Sequence, residues 1–239
     1  MKTRILILLL FLTGSVQAGP IINPYIFATA PTPALVQQKT GTTASGDLTI
    51  TMDSALTAGN AVIACISYVT PDSITGAETT GSVDNLSADI QETSGTGIGV
   101  DIWSNTNVTG GTLTVVIHAN TGATRITANV SEWSNIGSGI ENSKSASGLA
   151  STTVVTDDGS HHTTPSSARN VVIACGAWTA NNYSSGPTDS FTRMTAAGTG
   201  AVRQETAYKI QTTATAANPS WTLTSGINWA GASAAYGAP

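Results

Sequence analysis

Charge is scarce in this sequence. Only 10% of its 239 residues are Asp, Glu, Lys or Arg, against about a quarter in ordinary soluble domains. That deficit excludes a coiled coil, which needs Lys, Glu and Arg in quantity. Cations are the scarcer sign: Lys+Arg total 9 against 14 Asp+Glu, a net charge of −5. A chain so poor in cations lacks the basic patch that nucleic-acid phosphates require. The same acidity disfavours adhesion to anionic lipid. Aromatic residues are also few, at 5%. Past the first residues no apolar stripe at helical spacing runs beyond two turns. With 40% hydrophobic residues, however, this is not a disordered composition.

The one long apolar run, Ile5 to Leu12, stands at the start, behind Lys2 and Arg4. Gly14 and Ser15 break it, and Val16-Gln17-Ala18 places small residues before a cleavage point. This is the pattern of a signal peptide over 1–18. Eight apolar residues are too few to cross a bilayer, which takes about 20. The expectation is an exported protein, secreted, periplasmic or on the cell surface, with no membrane span after cleavage. Residues 19–33 follow as an arm with Pro20, Pro24, Pro31 and Pro33 among Ile21, Ile22, Tyr25, Ile26 and Phe27. Proline denies it a regular ladder. Two readings stand: a terminus folded over its own domain, or a strand exchanged with a second copy of the chain.

From Leu35 onward Thr and Val dominate with a period of two, and Gly, Asn, Asp and Pro punctuate at intervals of roughly ten residues. Leu48, Ile50 and Met52 share one face of such a segment. The most informative feature is a repeat. Asn60-Ala61-Val62-Ile63-Ala64-Cys65-Ile66-Ser67-Tyr68 returns as Asn170-Val171-Val172-Ile173-Ala174-Cys175-Gly176-Ala177-Trp178. Val100 to Trp103 aligns with Glu205 to Tyr208, Leu113 to Val115 loosely with Trp221 to Leu223, and Ala128 to Trp133 with Gly231 to Tyr236. Similarity in fixed order at one period marks a duplicated unit. The predicted fold is all-β over residues 34–239: one β-sandwich, jelly-roll or concanavalin-like, of about 14 strands in two halves, about 34–134 and 141–237. The alternative is two tandem immunoglobulin-like sandwiches joined through Ser134–Glu141, where Gly137 and Gly139 favour flexibility. The repeated strands are apolar throughout, as if covered on both faces. A side-by-side pair of central strands would explain that.

Leu56-Thr57-Ala58-Gly59-Asn60-Ala61-Val62-Ile63-Ala64, Asp101 to Gly111, and Ser131-Glu132-Trp133-Ser134-Asn135-Ile136 together resemble a set of exported bacterial and phage-associated β-sandwich modules. The similarity covers Leu35 to Ala238. It implies a jelly-roll or lectin-like sandwich of the kind found in surface, adhesin-like and virion proteins, mostly without assigned chemistry.

The residues themselves offer few chemical sites. Cys65 and Cys175 are the only cysteines and occupy equivalent repeat positions. They are either a disulfide, as an oxidising compartment allows, or two small buried hydrophobes. Asp157, Asp158 and His161, with Gly159 and His162, form the one ligand-type cluster. A calcium or zinc ion is the sharp reading, but full calcium-loop spacing is absent and a solvated loop is the plain one. Asp84-Asn85 and Asp189 are turn-like acids of the same kind. No cofactor is expected. Trp178, Asn182 and Tyr183, beside Asn181, group at a strand end as a candidate sugar platform. The same tryptophan mirrors Tyr68 in the repeat, which is the pattern of a core residue. Trp103, Trp133, Trp221 and Trp229 read as core. No G-x-S-x-G elbow appears, and the histidines are His118, His161 and His162. A glycoside hydrolase needs two facing carboxylates. Glu92, Asp101, Glu132 and Glu205 are candidates, and Glu132 and Glu205 stand unusually within strands. The expected function is a non-enzymatic structural or adhesive protein of a cell surface, filament or virion. A lectin-like glycan binder is the alternative, with a hydrolase behind it. Partners would be a second copy of the chain or glycans.

Overall fold

The structure, a computed structural model, describes residues 31–239 apart from 71–72, 80–83, 95–96, 113, 121–124, 138, 158, 160–162, 181 and 199–201. The signal-peptide segment 1–18 and residues 19–30 of the arm lie outside the described residues, as do Asp158 and His161. The described chain is all-β. Its first half holds β1 (Ala34–Thr43), β2 (Leu48–Thr51), β3 (Ala61–Tyr68), β4 (Ile74–Thr79), β5 (Asn85–Ser94), β6 (Ile98–Asn105), β7 (Thr114–Ala119) and β8 (Ile126–Ser134). Its second half holds β9 (Ile140–Val155), β10 (Asn170–Trp178), β11 (Tyr183–Ser185), β12 (Thr192–Arg193), β13 (Arg203–Gln211) and β14 (Ser220–Gly237).

The period-two pattern acts as expected. Leu48 and Ile50 of β2 face inward while Thr49 and Thr51 face solvent. β3 and β10 are buried at every residue. Two antiparallel sheets result. The eight-stranded sheet runs β1-β8-β3-β6-β5-β4-β7-β2. β5 pairs with β4 through Asn85 and Leu86 and with β6 from Ser87 onward. The sheet thereby rolls over, laying β2-β7-β4 across β8-β3-β6 in jelly-roll order. The second sheet runs β11-β14-β10-β13-β12, with β9 on β14. Here β9 and β14 are 16 and 18 residues long and pair at both ends, Ile140 with Tyr236 and Val154 with Trp221. Each does the work of two first-half strands: β9 that of β1 and β2, β14 that of β7 and β8. In the first half the turn at Gly46 (φ 68°) divides β1 from β2; β9 has only a shift in register around Ala150.

The two sheets pack face to face as one sandwich, and strand alternation gives it three apolar layers. Ala61, Ile63 and Cys65 of β3 meet Val171, Ile173, Cys175 and Ala177 of β10 in a central core, closed by Trp133 and Tyr236. The other faces of the same strands serve the outer cores. Val62, Ala64, Ile66 and Tyr68 pack under β2, β4 and β7; Val172, Ala174 and Trp178 pack with Trp221 and Leu223. A side chain fully buried in such a layer contributes about 1.5–3 kcal/mol. The central strands therefore lie opposite each other in separate sheets, not side by side in one. Each already has neighbours on both edges, β6 and β8 for β3, β13 and β14 for β10. The shared central core also replaces the tandem-domain alternative. The connection between halves is tied down, since the Gly137 N–H donates to the Gly237 carbonyl at 2.7 Å.

Cys65 and Cys175 form a disulfide across the central core, with Cα atoms 6.0 Å apart. Around it the seam carries polar ties. The Trp133 and Tyr208 rings meet edge to face at 5.1 Å. The Ser145 hydroxyl donates to Glu92 at 2.7 Å, and the Asn129 amide to the Thr195 carbonyl at 3.0 Å.

Candidate functional site

The acids inside strands fall at related positions of the repeat. Asp101 on β6 lies opposite Ile66, and Glu205 on β13 lies opposite Gly176. Ile66 and Gly176 are the same position of the duplicated strand, so Asp101 and Glu205 are counterparts. The alignment of Val100 with Glu205 is one residue out: Val100 corresponds to Gln204. Both acids are fully buried and face the outer core of their own half.

Their surroundings have diverged. Asp101 accepts hydrogen bonds from the Tyr68 hydroxyl at 3.1 Å, the Gln91 amide at 3.1 Å and the Trp103 indole at 3.4 Å. All three donors are neutral. Burial outweighs them and raises the Asp101 carboxyl to about 6; burial, then the Asp101 charge, pushes the Tyr68 hydroxyl up. Glu205 instead sits in a clamp of two arginines. Arg193 donates through Nε and through Nη2 at 2.5 Å; Arg203 donates through Nη2 at 2.7 Å and Nε at 3.1 Å. Such forked contacts are the strong form of carboxylate recognition. The clamp went unseen in the sequence, although two arginines on neighbouring strands are a notable share of 9 cationic residues.

The candidate sugar-platform residues Trp178, Asn182 and Tyr183 are engaged with one another and with the frame. Trp178 is fully buried and stacks on Tyr183, ring centroids 6.3 Å apart and planes 9° from parallel. The Arg193 guanidinium lies 4.5 Å from the Tyr183 centroid. The Tyr183 hydroxyl donates to the Gly186 carbonyl at 2.6 Å, and the Asn182 amide to Ser225 at 2.8 Å. This group braces the end of β10. The core pattern wins because Trp178 occupies the position of Tyr68, whose ring is likewise buried. Trp103, Trp133, Trp221 and Trp229 are buried too.

The remaining acids tie loops to the frame. Glu132 on β8 is fully buried and accepts from the Thr57 N–H at 2.8 Å, the Asn60 amide at 2.7 Å and the Gln37 amide at 2.6 Å. It thereby fixes the Thr57–Asn60 turn at the mouth of β3. In the second half Glu141, from β9, accepts from Ser166 and Ser167 before β10. Asp157 is buried; its Oδ1 accepts from the Gly159 N–H at 2.7 Å and the Asn218 amide at 3.1 Å. Its proposed co-ligands Asp158 and His161 lie outside the described residues. Among the described residues no three His, Cys, Asp or Glu side chains gather as a metal site. Asp84 takes the Thr109 N–H and hydroxyl, each at 2.7 Å. Asp189 takes Lys209 at 3.0 Å and the Asn218 N–H at 3.3 Å. His118 bridges Asp47 at 2.8 Å and Glu78 at 3.4 Å on an exposed surface; the Asp47 bond leads in holding its imidazole above the usual range.

No helix of the described residues is long and apolar enough to cross a membrane. Compared with protein-family models, with curated proteins and with solved structures, the chain has no match.

Proposed function

We propose that this chain is an exported, non-enzymatic β-sandwich with a structural or adhesive role. One observation carries the reading: the acids that a hydrolase would use are engaged in holding the frame. Glu132 fixes a turn, Glu205 is clamped between two arginines, Asp101 is enclosed by three donors, and Glu92 takes a seam hydroxyl. The resemblance to exported bacterial and phage-associated modules supports the same reading. A disulfide suits an oxidising compartment, and a polar, weakly charged surface suits a subunit meeting copies of itself.

In this reading the arm 19–33 joins subunits by strand exchange. Its described end is anchored: Pro33 is buried and the Thr32 carbonyl accepts from the Asn135 amide at 3.0 Å. The test is light scattering and electron microscopy on the chain from Gly19 and on one from Pro31. Ordered assemblies that vanish when 19–30 are removed are expected. Monomers from both chains would overturn the assembling role, and turnover of any substrate in a hydrolase screen would overturn the non-enzymatic one.

A further inference from the structure

The halves do not meet flush along the whole seam. Between the start of β5, the end of β6 and the start of β9 lies a cavity of about 460 Å³. Small-molecule sites occupy roughly 300–1,000 Å³. Asn85, Ser87, Asp89, Ser104 and Asn105 give it polar walls, and Ile140 an apolar one. No Lys, Arg or His is among its described lining residues.

Asp89 stands at its base. The Tyr236 hydroxyl, from the second half, donates to Asp89 Oδ2, and Ser104 hydrogen-bonds the same carboxyl. The carboxyl is thus aimed by both halves at once. Desolvation still outweighs these bonds and holds it above the ordinary carboxylate range. The Asn105 side chain is set as well: its amide donates to the Asn85 carbonyl at 3.1 Å, and its oxygen accepts from the Asn107 N–H at 2.9 Å. Asn85 and Ser87 stand exposed at the mouth, and Ile140 is 37% exposed beside them.

Amides and hydroxyls both donate and accept and the carboxylate accepts, which matches adjacent hydroxyl groups on a ligand. The exposed Ile140 matches a C–H face. An anion finds no cation here and meets Asp89. An ammonium would pair with the carboxyl and wall oxygens but offers no acceptor to the amide and hydroxyl donors. We propose that this seam cavity binds an uncharged polyhydroxyl ligand, a single sugar residue or small polyol, held by Asn85, Ser87 and Asp89. The site goes beyond the structural reading and does not depend on it, since a monomer and an assembled subunit would both carry it.

The test is an NMR titration of the ¹⁵N-labelled chain from Gly19, following the Asn85 and Asn105 side-chain amides. The probes are glucose, galactose, mannose, N-acetylglucosamine and glycerol, with glucuronate and ethanolamine as charged controls. Oligosaccharides ending in the best sugar separate a free sugar from a glycan terminus. At least one neutral probe is expected to shift both amides saturably, with millimolar affinity or better, the weak end of specific binding at about 1 mM. Ser87→Trp fills the exposed mouth without touching the core and should weaken binding about tenfold or more, a change of about 1.4 kcal/mol. Asp89→Asn should weaken it similarly. The proposal is overturned by neutral probes that leave both amides unmoved, by binding that Ser87→Trp does not affect, or by binding of the charged controls alone. None of these results bears on whether the arm assembles subunits.

Discussion

Replacing Cys65 and Cys175 together by alanine should lower the unfolding free energy by about 4–5 kcal/mol. The bridged residues are 110 apart in sequence. In the chain-entropy description, a link closing a loop of about 100 residues stabilises by about 4.7 kcal/mol. It does so by removing open conformations from the unfolded chain. The bond also joins the two sheets at the middle of their shared core. Domains are commonly stable by only about 5–15 kcal/mol, so the loss is a large share. Both sulfurs are buried, and alanine leaves small voids that add to it. Urea unfolding of the double variant and of the reduced native chain measures the effect. An unfolding free energy lowered by less than about 1 kcal/mol in both would show that the bridge does not constrain the unfolded state.

Neutralising the two counterpart acids should have different consequences. Glu205→Gln leaves Arg193 and Arg203 together beside Tyr183 without the carboxylate they share. Removing one partner of a buried ion pair costs roughly 3–5 kcal/mol. Arg193 keeps 38% and Arg203 22% side-chain exposure, so solvent relieves part of this and about 3 kcal/mol is expected. Asp101→Asn acts mainly through pH. The folded carboxyl is raised to about 6 from 3.8, so the folded state binds the proton more tightly than the unfolded one. Its stabilising contribution is therefore full below about pH 4 and is lost as pH rises through about 6. A shift of this size corresponds to about 3 kcal/mol between those limits. Native stability should fall across that window, and Asp101→Asn should flatten the fall. Urea midpoints from about pH 4 to 7 test both acids. Equal slopes in the native chain and Asp101→Asn, or a Glu205→Gln midpoint unchanged at neutral pH, would contradict these assignments.

The repeat was the legible part of this fold, and the misalignment of β6 with β13 shows where legibility stopped. The central strands carried a long apolar identity. The closing pair, Ala128–Trp133 and Gly231–Tyr236, also aligned in true register, as their partners on β3 and β10 show. β6 and β13 slipped by one because Trp103 was matched to Tyr208. Those aromatics stand on opposite faces: Trp103 packs in the first outer core, Tyr208 against the central core. A one-residue shift reverses every side chain of a strand, and composition alone does not reveal it. Whether the repeated strands lay side by side or face to face was equally hidden, because burial on both faces fits either arrangement. At the candidate sites the sequence marked Glu132 and Glu205 as unusual but not their partners. The Arg193 and Arg203 clamp, and Asp89 meeting Tyr236, join residues from different strands and halves. Such pairings depend on the sandwich geometry, not on spacing.

The two halves form one body around a shared core. Calorimetry of the disulfide-intact chain from Gly19 tests it most directly. One transition is predicted, with calorimetric and van't Hoff enthalpies equal and about 0.7 kcal/mol per folded residue at 60 °C. Two separable transitions, each carrying half of that enthalpy, would contradict it.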